Sequence, residues 1–186
     1  MNIINNQQGW IEVICGSMFS GKSEELIRRL RRAIIAKQKV AVFKPRIDTR
    51  FDQNVIMSHS NLSIPSIPIE KSAEILEHID EQTQVVGVDE VQFFDEGIVS
   101  ICQGLADRGV RVICAGLDQD YSGKPFEPIP QLLAIGEYIT KTLAICMVCG
   151  NPANRTQRLV ESKERVLIGA ADTYEARCRK CHEVYD

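Results

Sequence analysis

Short apolar runs alternate with longer amphipathic stretches along most of this chain. The apolar runs, which predict β-strands buried on both faces, cover residues 10–15, 40–43, 85–88, 110–115 and 138–144. The amphipathic stretches, which predict helices, cover residues 24–37, 72–79 and 96–106. Because strands alternate with helices, we expect an α/β fold in which helices flank a parallel sheet. Residues 44–70 break the pattern and predict a long functional or mobile loop, whose detailed role stays open.

The composition is that of an ordinary globular protein, with 186 residues, 44% of them hydrophobic and 25% charged. A chain of this length can bury one good core and carry a small appended module. The net charge of −3 gives no electrostatic reason to expect nucleic acid as a partner. No apolar run approaches the length of a membrane span, and residues 1–8 lack the segments of a secretory signal. We therefore expect a cytoplasmic protein with no membrane partner, whose cysteines are thiols or metal ligands.

A phosphate-binding motif, Gly16-x-x-x-x-Gly21-Lys22-Ser23, lies between the first predicted strand and the first predicted helix. The glycines let backbone N–H groups face phosphate oxygens, Lys22 reaches the β- and γ-phosphates, and Ser23 offers its hydroxyl to Mg²⁺. The loop that would bind the nucleotide comprises Gly16, Ser17, Met18, Phe19, Ser20, Gly21, Lys22 and Ser23. The motif predicts binding of ATP or GTP by a P-loop sheet of the RecA-like type. A glycine-rich turn without a ligand is the alternative interpretation.

Two adjacent acidic residues, Asp89 and Glu90, follow the strand predicted at residues 85–88. P-loop enzymes use an acid at this place to hold Mg²⁺ opposite the triphosphate, so we predict Asp89 as a magnesium ligand together with Ser23. Adjacent side chains at a strand end project in different directions, and Glu90 could therefore accept a proton from the attacking group. An exposed acid stabilised at a helix start is the alternative for Glu90.

The end of the chain carries two cysteine pairs, Cys146-x-x-Cys149 and Cys178-x-x-Cys181, each with the spacing of a zinc-binding turn. Four thiolates complete a tetrahedral site and leave no position for water, so we predict a structural zinc. His182 could substitute as a ligand, and two redox pairs are the alternative. We expect a nucleotide-binding P-loop α/β domain at residues 1–145 and a zinc-binding domain at residues 146–186. The other cysteines lie in or near apolar segments and are predicted to be buried: Cys15, Cys102 and Cys114.

Further motifs lie in order over nearly the whole chain, at residues 16–23, 48–50, 89–94, 116–121, 124–126, 156–159 and 169–174. Together with the four cysteines they resemble the type II thymidine kinases, the cytosolic tetrameric family. Their combination is more specific than any one of them. The resemblance implies a P-loop fold with a small zinc-binding domain that carries a lasso loop. It also implies transfer of the γ-phosphate of ATP to the 5′-hydroxyl of thymidine, in the salvage of DNA precursors.

The resemblance assigns roles to individual residues. Glu90 would take the proton of the 5′-hydroxyl, Lys22 would neutralise phosphate charge, and Asp48 and Arg50 would act near the metal and the transferring phosphate. The nucleotide-binding set would be the phosphate loop together with Asp89, Glu90, Val91 and Gln92. The residues that would wall or cover the nucleoside are Met18, Phe93, Leu117, Tyr121, Phe126, Thr156, Tyr174 and the lasso residues Arg165, Val166, Leu167, Ile168 and Gly169.

The same resemblance implies ATP with Mg²⁺ as phosphate donor, a structural Zn²⁺, thymidine triphosphate as feedback inhibitor and a homotetramer. Two other functions stay open. One is a P-loop kinase of another deoxynucleoside, and the other is a nucleic-acid-binding ATPase with a zinc module. The second would need a basic, aromatic-bearing face, which the acidic charge balance does not favour.

Overall fold

The computed structural model describes residues 8–48, 55–57, 62–162, 164–167, 169 and 172–184. The described helices are α1 (Lys22–Ile35), α2 (Gly97–Asp107) and α3 (Ile129–Ile135), with 3₁₀ turns at Ser72–Glu77 and Val91–Phe93. The described strands are β1 (Trp10–Gly16), β2 (Val40–Pro45), β3 (Val55–Met57), β4 (Ser63–Pro65), β5 (Ile67–Ile69), β6 (Val85–Val88), β7 (Arg111–Leu117), β8 (Tyr138–Thr142), β9 (Ala144–Ile145), β10 (Pro152–Ala153), β11 (Arg155–Arg158) and β12 (Tyr174–Arg177). Within these ranges no helix is both long enough and apolar enough to cross a membrane.

Six strands form the central sheet in the order β5-β2-β6-β7-β1-β8, and every pair in it is parallel. Gly16 at the end of β1 lies opposite Leu117 of β7 on one side and Thr142 of β8 on the other. The carboxyl ends of these strands therefore meet at one edge, where ligands bind in open α/β sheets. The predicted α/β fold, a parallel sheet flanked by helices, is confirmed.

Helices cover the two faces of this sheet because alternate strand residues point to opposite sides. On β7, Val112 and Cys114 belong to one hydrophobic cluster and Ile113 to another. The first cluster contains buried side chains of α2 and α3, and the second contains Leu26, Leu30 and other buried side chains of α1. Helix α1 thus packs on one face, while α2 and α3 pack on the other.

The prediction of a loop at residues 44–70 was wrong for the part of this stretch that the structure describes. Strands β3 and β4 pair there in antiparallel fashion, and β5 pairs with β2 as an edge strand of the central sheet. Each of these strands has only three residues, too few for a readable period. Pro68 lies within β5, which is compatible with an edge strand but argues against a strand when the sequence is read alone.

Two other elements differ from the hydrophobic pattern. The strand predicted at 138–144 is two strands, because β8 continues the central sheet whereas β9 pairs with β10 in a separate two-stranded sheet. The helix predicted at 72–79 is a 3₁₀ turn, Ser72–Glu77. Its first N–H group and the Ser72 hydroxyl both donate to Asp95, at 2.9 and 2.6 Å.

The last part of the described chain is built on short strands and cysteines. β9 pairs with β10, and β11 pairs with β12, both in antiparallel fashion. A third hydrophobic cluster joins Ala144, Ala153 and Ala176 to two of the cysteines, and Phe19 of the phosphate loop packs against it. The short strands therefore rest against the phosphate loop.

Candidate active site

The phosphate loop connects β1 to α1 through two glycines with positive φ. Gly16 has φ 151°, and a Cβ atom there would overlap the carbonyl oxygen of Thr142. Gly21 has φ 81° and caps the amino end of α1, where N–H groups face outward. The loop therefore has the backbone that an anion-binding turn at a helix start requires.

Neighbouring strands hold this loop in shape. Ser20 Oγ donates to the Ser17 carbonyl oxygen at 2.8 Å and lies 2.8 Å from Thr142 Oγ1. The backbone N–H of Met18 donates to Thr156 Oγ1 at 3.1 Å, and Lys22 Nζ donates to the Ser17 carbonyl oxygen at 2.7 Å. Thr142 was not predicted as part of the site. The sequence places it at a strand end but does not show which strand it joins.

The two predicted magnesium ligands lie beside each other. Ser23, in the first turn of α1, donates from Oγ to Asp89 Oδ2 at 3.0 Å. Asp89 is buried and follows directly on β6, and its Oδ1 accepts the Glu90 N–H at 3.0 Å. A hydroxyl and a carboxylate are hard oxygen ligands, so this pair fits the magnesium ion of an incoming MgATP.

Glu90 is held in an unusual backbone conformation, with φ 48° and ψ 43°. Its buried carboxylate accepts a 2.5 Å hydrogen bond from Gln92 Nε2. Gln92 Oε1 in turn accepts the Leu117 N–H at 2.9 Å. Strain at a residue of this kind is retained where the surroundings fix it, and such residues cluster at functional sites. Gln92 thus orients the predicted base.

Two adjoining cavities share Met18, Asp48, Glu90 and Leu117. The first follows the phosphate loop and also contains Asp89 and residues of β3. The second brings together the predicted nucleoside residues Met18, Phe93, Leu117, Tyr121, Phe126, Thr156, Arg165, Val166, Leu167, Gly169 and Tyr174. Arg50 and Ile168, which were also predicted for the site, lie outside the described residues. Glu90 therefore lies where the two cavities meet.

The residues that line the two cavities differ in part from those predicted for the site. Val91 and Gln92, predicted to contact nucleotide, line neither cavity: Val91 is fully buried in the core and Gln92 holds Glu90. Gln119 and Asp120 line the second cavity, and Val55 lines the first, although sequence reasoning missed all three. The motif at 116–121 was a usable signal for Gln119 and Asp120. Val55 gave none because its strand is too short.

Arg165 connects the segment at residues 165–167, which lines the second cavity, to the residues that follow β7 of the central sheet. Its Nε donates to Asp120 Oδ2 at 2.9 Å and its Nη2 to the Pro125 carbonyl oxygen at 2.9 Å. Burial alone would raise the pKa of Asp120, but hydrogen bonds from Ser122, the Lys124 N–H and Arg165 lower it below its ordinary value. Asp120 is therefore a carboxylate, and the tie is an ion pair.

The four C-terminal cysteines form a cluster that could hold a zinc ion. Their sulfur atoms all lie within 4.8 Å of one another, and those of Cys149 and Cys178 are 3.7 Å apart. Tetrahedral zinc with bonds of about 2.3 Å places sulfur atoms about 3.8 Å apart, so the geometry fits. His182 Nε2 lies 2.8 Å from the Tyr121 carbonyl oxygen, so that nitrogen has a hydrogen-bond partner outside the cysteine cluster.

The three remaining cysteines are buried, as predicted. The thiols of Cys102 and Cys114 lie 3.6 Å apart between α2 and β7. Burial, with a smaller effect from the Asp118 charge, raises the pKa of Cys15 beneath the phosphate loop. Cys15 therefore remains a neutral thiol at physiological pH.

In a comparison with known protein families, the chain matches the thymidine kinase family model over residues 9–182. The matched stretch includes the phosphate loop, Asp89 and Glu90, the second cavity and all four cysteines. It supports the general function of a thymidine kinase. The chain therefore belongs to the thymidine kinase family.

Proposed function

We propose that this protein transfers the γ-phosphoryl group of ATP to the 5′-hydroxyl of thymidine, giving ADP and thymidine monophosphate. The observation that carries the proposal is the place of Glu90 at the junction of the two cavities. A donor in the first cavity and an acceptor in the second would meet at its carboxylate. Positioning two reactants in this way supplies much of the rate of a phosphoryl transfer.

In the first cavity, the loop N–H groups and Lys22 would bind the triphosphate of MgATP. Lys22 Nζ donates to the Ser17 carbonyl oxygen, so it would exchange this partner for a phosphate oxygen. Ser23 and Asp89 would hold the magnesium ion, and Asp48, which lines both cavities, would lie near it. Arg50 would act beside Asp48. Together these groups neutralise the charge of the transferring phosphoryl group.

In the second cavity, the pyrimidine would lie among aromatic and aliphatic side chains, with Phe93 and Phe126 at edge-to-face distance, 6.0 Å between centroids. The Glu90 carboxylate, held at Oε2 by the hydrogen bond from Gln92, would accept the proton of the 5′-hydroxyl as the hydroxyl oxygen attacks phosphorus. The proton ends on Glu90 and the γ-phosphoryl group leaves ADP. Residues 165–169, with Ile168 among them, would cover the nucleoside.

The structural zinc would stabilise the turns that carry this covering segment. The cysteine sulfur geometry supports the proposal. A closed set of four thiolates leaves no position for a substrate, so the ion would serve the fold and not the chemistry. We propose the same two domains that the sequence predicts, a P-loop domain at residues 1–145 and a zinc-binding domain at residues 146–186.

Thymidine triphosphate would inhibit by spanning both cavities, its base in the second and its phosphates in the first. The residues common to both cavities support this arrangement, since one ligand could contact them continuously. Inhibition competitive with thymidine, together with a rise in melting temperature by mass action, is the expected result. Inhibition independent of thymidine concentration would overturn it.

A cytoplasmic homotetramer without a nucleic-acid or membrane partner is proposed on the family resemblance. Exposed apolar side chains on edge strand β8, among them Tyr138 and Ile139, are available for contacts between copies. Light scattering of the purified protein measures the assembly. A salt-dependent DNA-binding assay tests the expected absence of nucleic-acid binding.

A phosphate-transfer assay tests the reaction itself. The purified protein is given MgATP and, separately, thymidine, deoxyuridine, deoxycytidine and deoxyguanosine, and kcat/KM is measured for each. Thymidine should give the highest value, and deoxyuridine should follow by only a modest factor because one methyl group separates them. Preference for deoxycytidine or deoxyguanosine would make the protein a kinase of another deoxynucleoside. Turnover of ATP without transfer to any nucleoside would overturn the proposal.

A further inference from the structure

Arg158 is a buried arginine at the base of the segment that lines the nucleoside cavity. It is the last residue of β11, and only 4% of it is exposed. Between Arg158 and Tyr174, the first residue of β12, the structure describes residues 159–162, 164–167, 169, 172 and 173, and these are called here the covering loop. The Leu159 N–H donates to the Thr173 carbonyl oxygen at 2.9 Å, which closes the neck of this loop. Arg158 therefore lies where the loop leaves the strands.

The guanidinium group of Arg158 donates hydrogen bonds to several carbonyl oxygens of the covering loop. Nη1 donates to Ser162 and Glu164 at 3.0 and 2.5 Å, and Nη2 donates to Arg165 at 3.2 Å. Nη2 also donates to the Tyr174 hydroxyl at 3.0 Å, and that hydroxyl donates to the Leu167 carbonyl oxygen at 2.8 Å. One side chain thus fixes, directly or through Tyr174, four backbone positions of the loop.

The charge of Arg158 makes this arrangement sensitive to loop position. The guanidinium lies 3.7 Å above the Tyr121 ring and 5.5 Å from the Tyr174 ring centroid. No carboxylate in the described part of the chain pairs with it, and its Nε has no hydrogen-bond partner there. A buried cation is costly unless it is compensated. All three compensating carbonyl oxygens belong to the covering loop, so moving the loop away would leave the buried charge without them.

Arg158 does not line the nucleoside cavity, but the residues it holds do. Tyr121, Tyr174, Arg165 and Leu167 all contribute to that cavity. The outer tie from Arg165 to Asp120 differs, because the Arg165 side chain is 52% exposed and water screens it. The buried contact is therefore the stronger determinant of loop position.

We propose that Arg158 is a positioning residue that holds the covering loop closed over the nucleoside cavity. Arg158 acts through the loop backbone and the two tyrosines, without contact to substrate. The inference rests on the proposed function only in identifying the ligand as a nucleoside. The inference adds to that function a residue that sets nucleoside affinity without lining the cavity, because it holds the residues that do.

The test uses the full-length, zinc-loaded protein and three variants. Arg158→Met keeps the length of the side chain and leaves no buried charge, so the fold should be retained. Arg158→Lys keeps the charge but offers one nitrogen, which cannot bridge the separate carbonyl oxygens. Arg108→Met is the matched control, because Arg108 is exposed at the end of α2. Zinc content and ATP affinity, measured for each protein, report whether the fold is intact.

Two measurements follow. In steady-state kinetics, Arg158→Met should raise the KM for thymidine at least about tenfold while the KM for ATP changes less than about twofold, and Arg158→Lys should lie between Met and wild type. In hydrogen exchange without nucleoside, amides of the covering loop should exchange faster in both variants, while β1 amides and the Arg108→Met protein stay as in wild type.

Unchanged loop exchange or an unchanged thymidine KM in Arg158→Met would overturn the inference. If that variant does not fold, Arg158→Lys decides, and wild-type exchange and KM in it would overturn the inference as well. A wild-type protein that phosphorylates no nucleoside would refute the proposed function instead. The exchange measurement would then still test the role of Arg158 in the loop.

Discussion

Removing the Gln92 side-chain amide tests whether Glu90 must be oriented to act. Gln92 is 4% exposed and bridges two groups, donating to Glu90 Oε2 at 2.5 Å and accepting the Leu117 N–H at 2.9 Å. Gln92→Met keeps the volume and removes both hydrogen bonds. A hydrogen bond to a charged group contributes about 1.5–3 kcal/mol. If that energy holds the carboxylate in its reactive orientation, kcat should fall about tenfold to a hundredfold.

The same variant should also lose stability, since the Leu117 N–H is left without its side-chain partner. An unsatisfied buried donor costs about 1–3 kcal/mol, which corresponds to a melting temperature lower by about 2–10 °C for a domain of this size. The assay is therefore steady-state phosphate transfer well below the melting transition, with kcat and both KM values determined. Gln103→Met, an exposed position on α2, is the matched control and should change neither quantity.

The expected signature is a lower kcat with nearly unchanged KM for ATP and for thymidine, because Gln92 lines neither cavity. Retention of wild-type kcat would show that Glu90 needs no orienting partner. A rise of the ATP KM with constant kcat would show that Gln92 contacts nucleotide, as the sequence predicted, and would refute the positioning role.

Four further changes test separate parts of the site. Glu90→Gln should lower kcat by about 10² or more while ATP affinity is kept, and wild-type turnover in this variant would exclude Glu90 as the base. Gly16→Ala should abolish ATP binding in a fluorescence titration, because its Cβ would overlap Thr142, whereas Gly104→Ala, where a Cβ meets nothing within 4 Å, should bind normally. The pKa of Asp120 is lowered from 3.8, so the ion pair it forms stabilises the fold above that value and is lost only as pH falls through the lower folded value. Covering-loop exchange, corrected for intrinsic rates, should therefore stay constant from about pH 7 to pH 4.5 in wild type and be faster throughout in Asp120→Asn; loosening of the wild-type loop within that range would contradict the assignment. Metal analysis should find about one zinc per chain and less in Cys149→Ser, whose thymidine affinity should fall before its ATP affinity; a zinc-free protein with full activity would refute the structural role.

Local motifs of this protein could be recognised from the sequence alone. The phosphate loop, the acidic pair after β6 and the cysteine pairs each lie within a few consecutive residues, so their spacing carries the chemistry. The alternation of apolar and amphipathic runs predicted the parallel sheet, because strands buried on both faces need helices to cover them. Burial of Cys15, Cys102 and Cys114 followed from the same apolar runs and is confirmed.

Other features depended on which distant segments meet. β5 reads as part of a loop until β2 pairs with it, and β8 ends at Thr142 because the next residues join a different sheet. The hydrogen bonds of Gln92 to Glu90 and of Arg158 to the covering loop are likewise set by backbone turns and not by sequence spacing. Hydrophobic periodicity reports only whether a residue is buried. Which polar groups share that buried space is decided by tertiary packing, because a buried donor must find its acceptor wherever the fold places one.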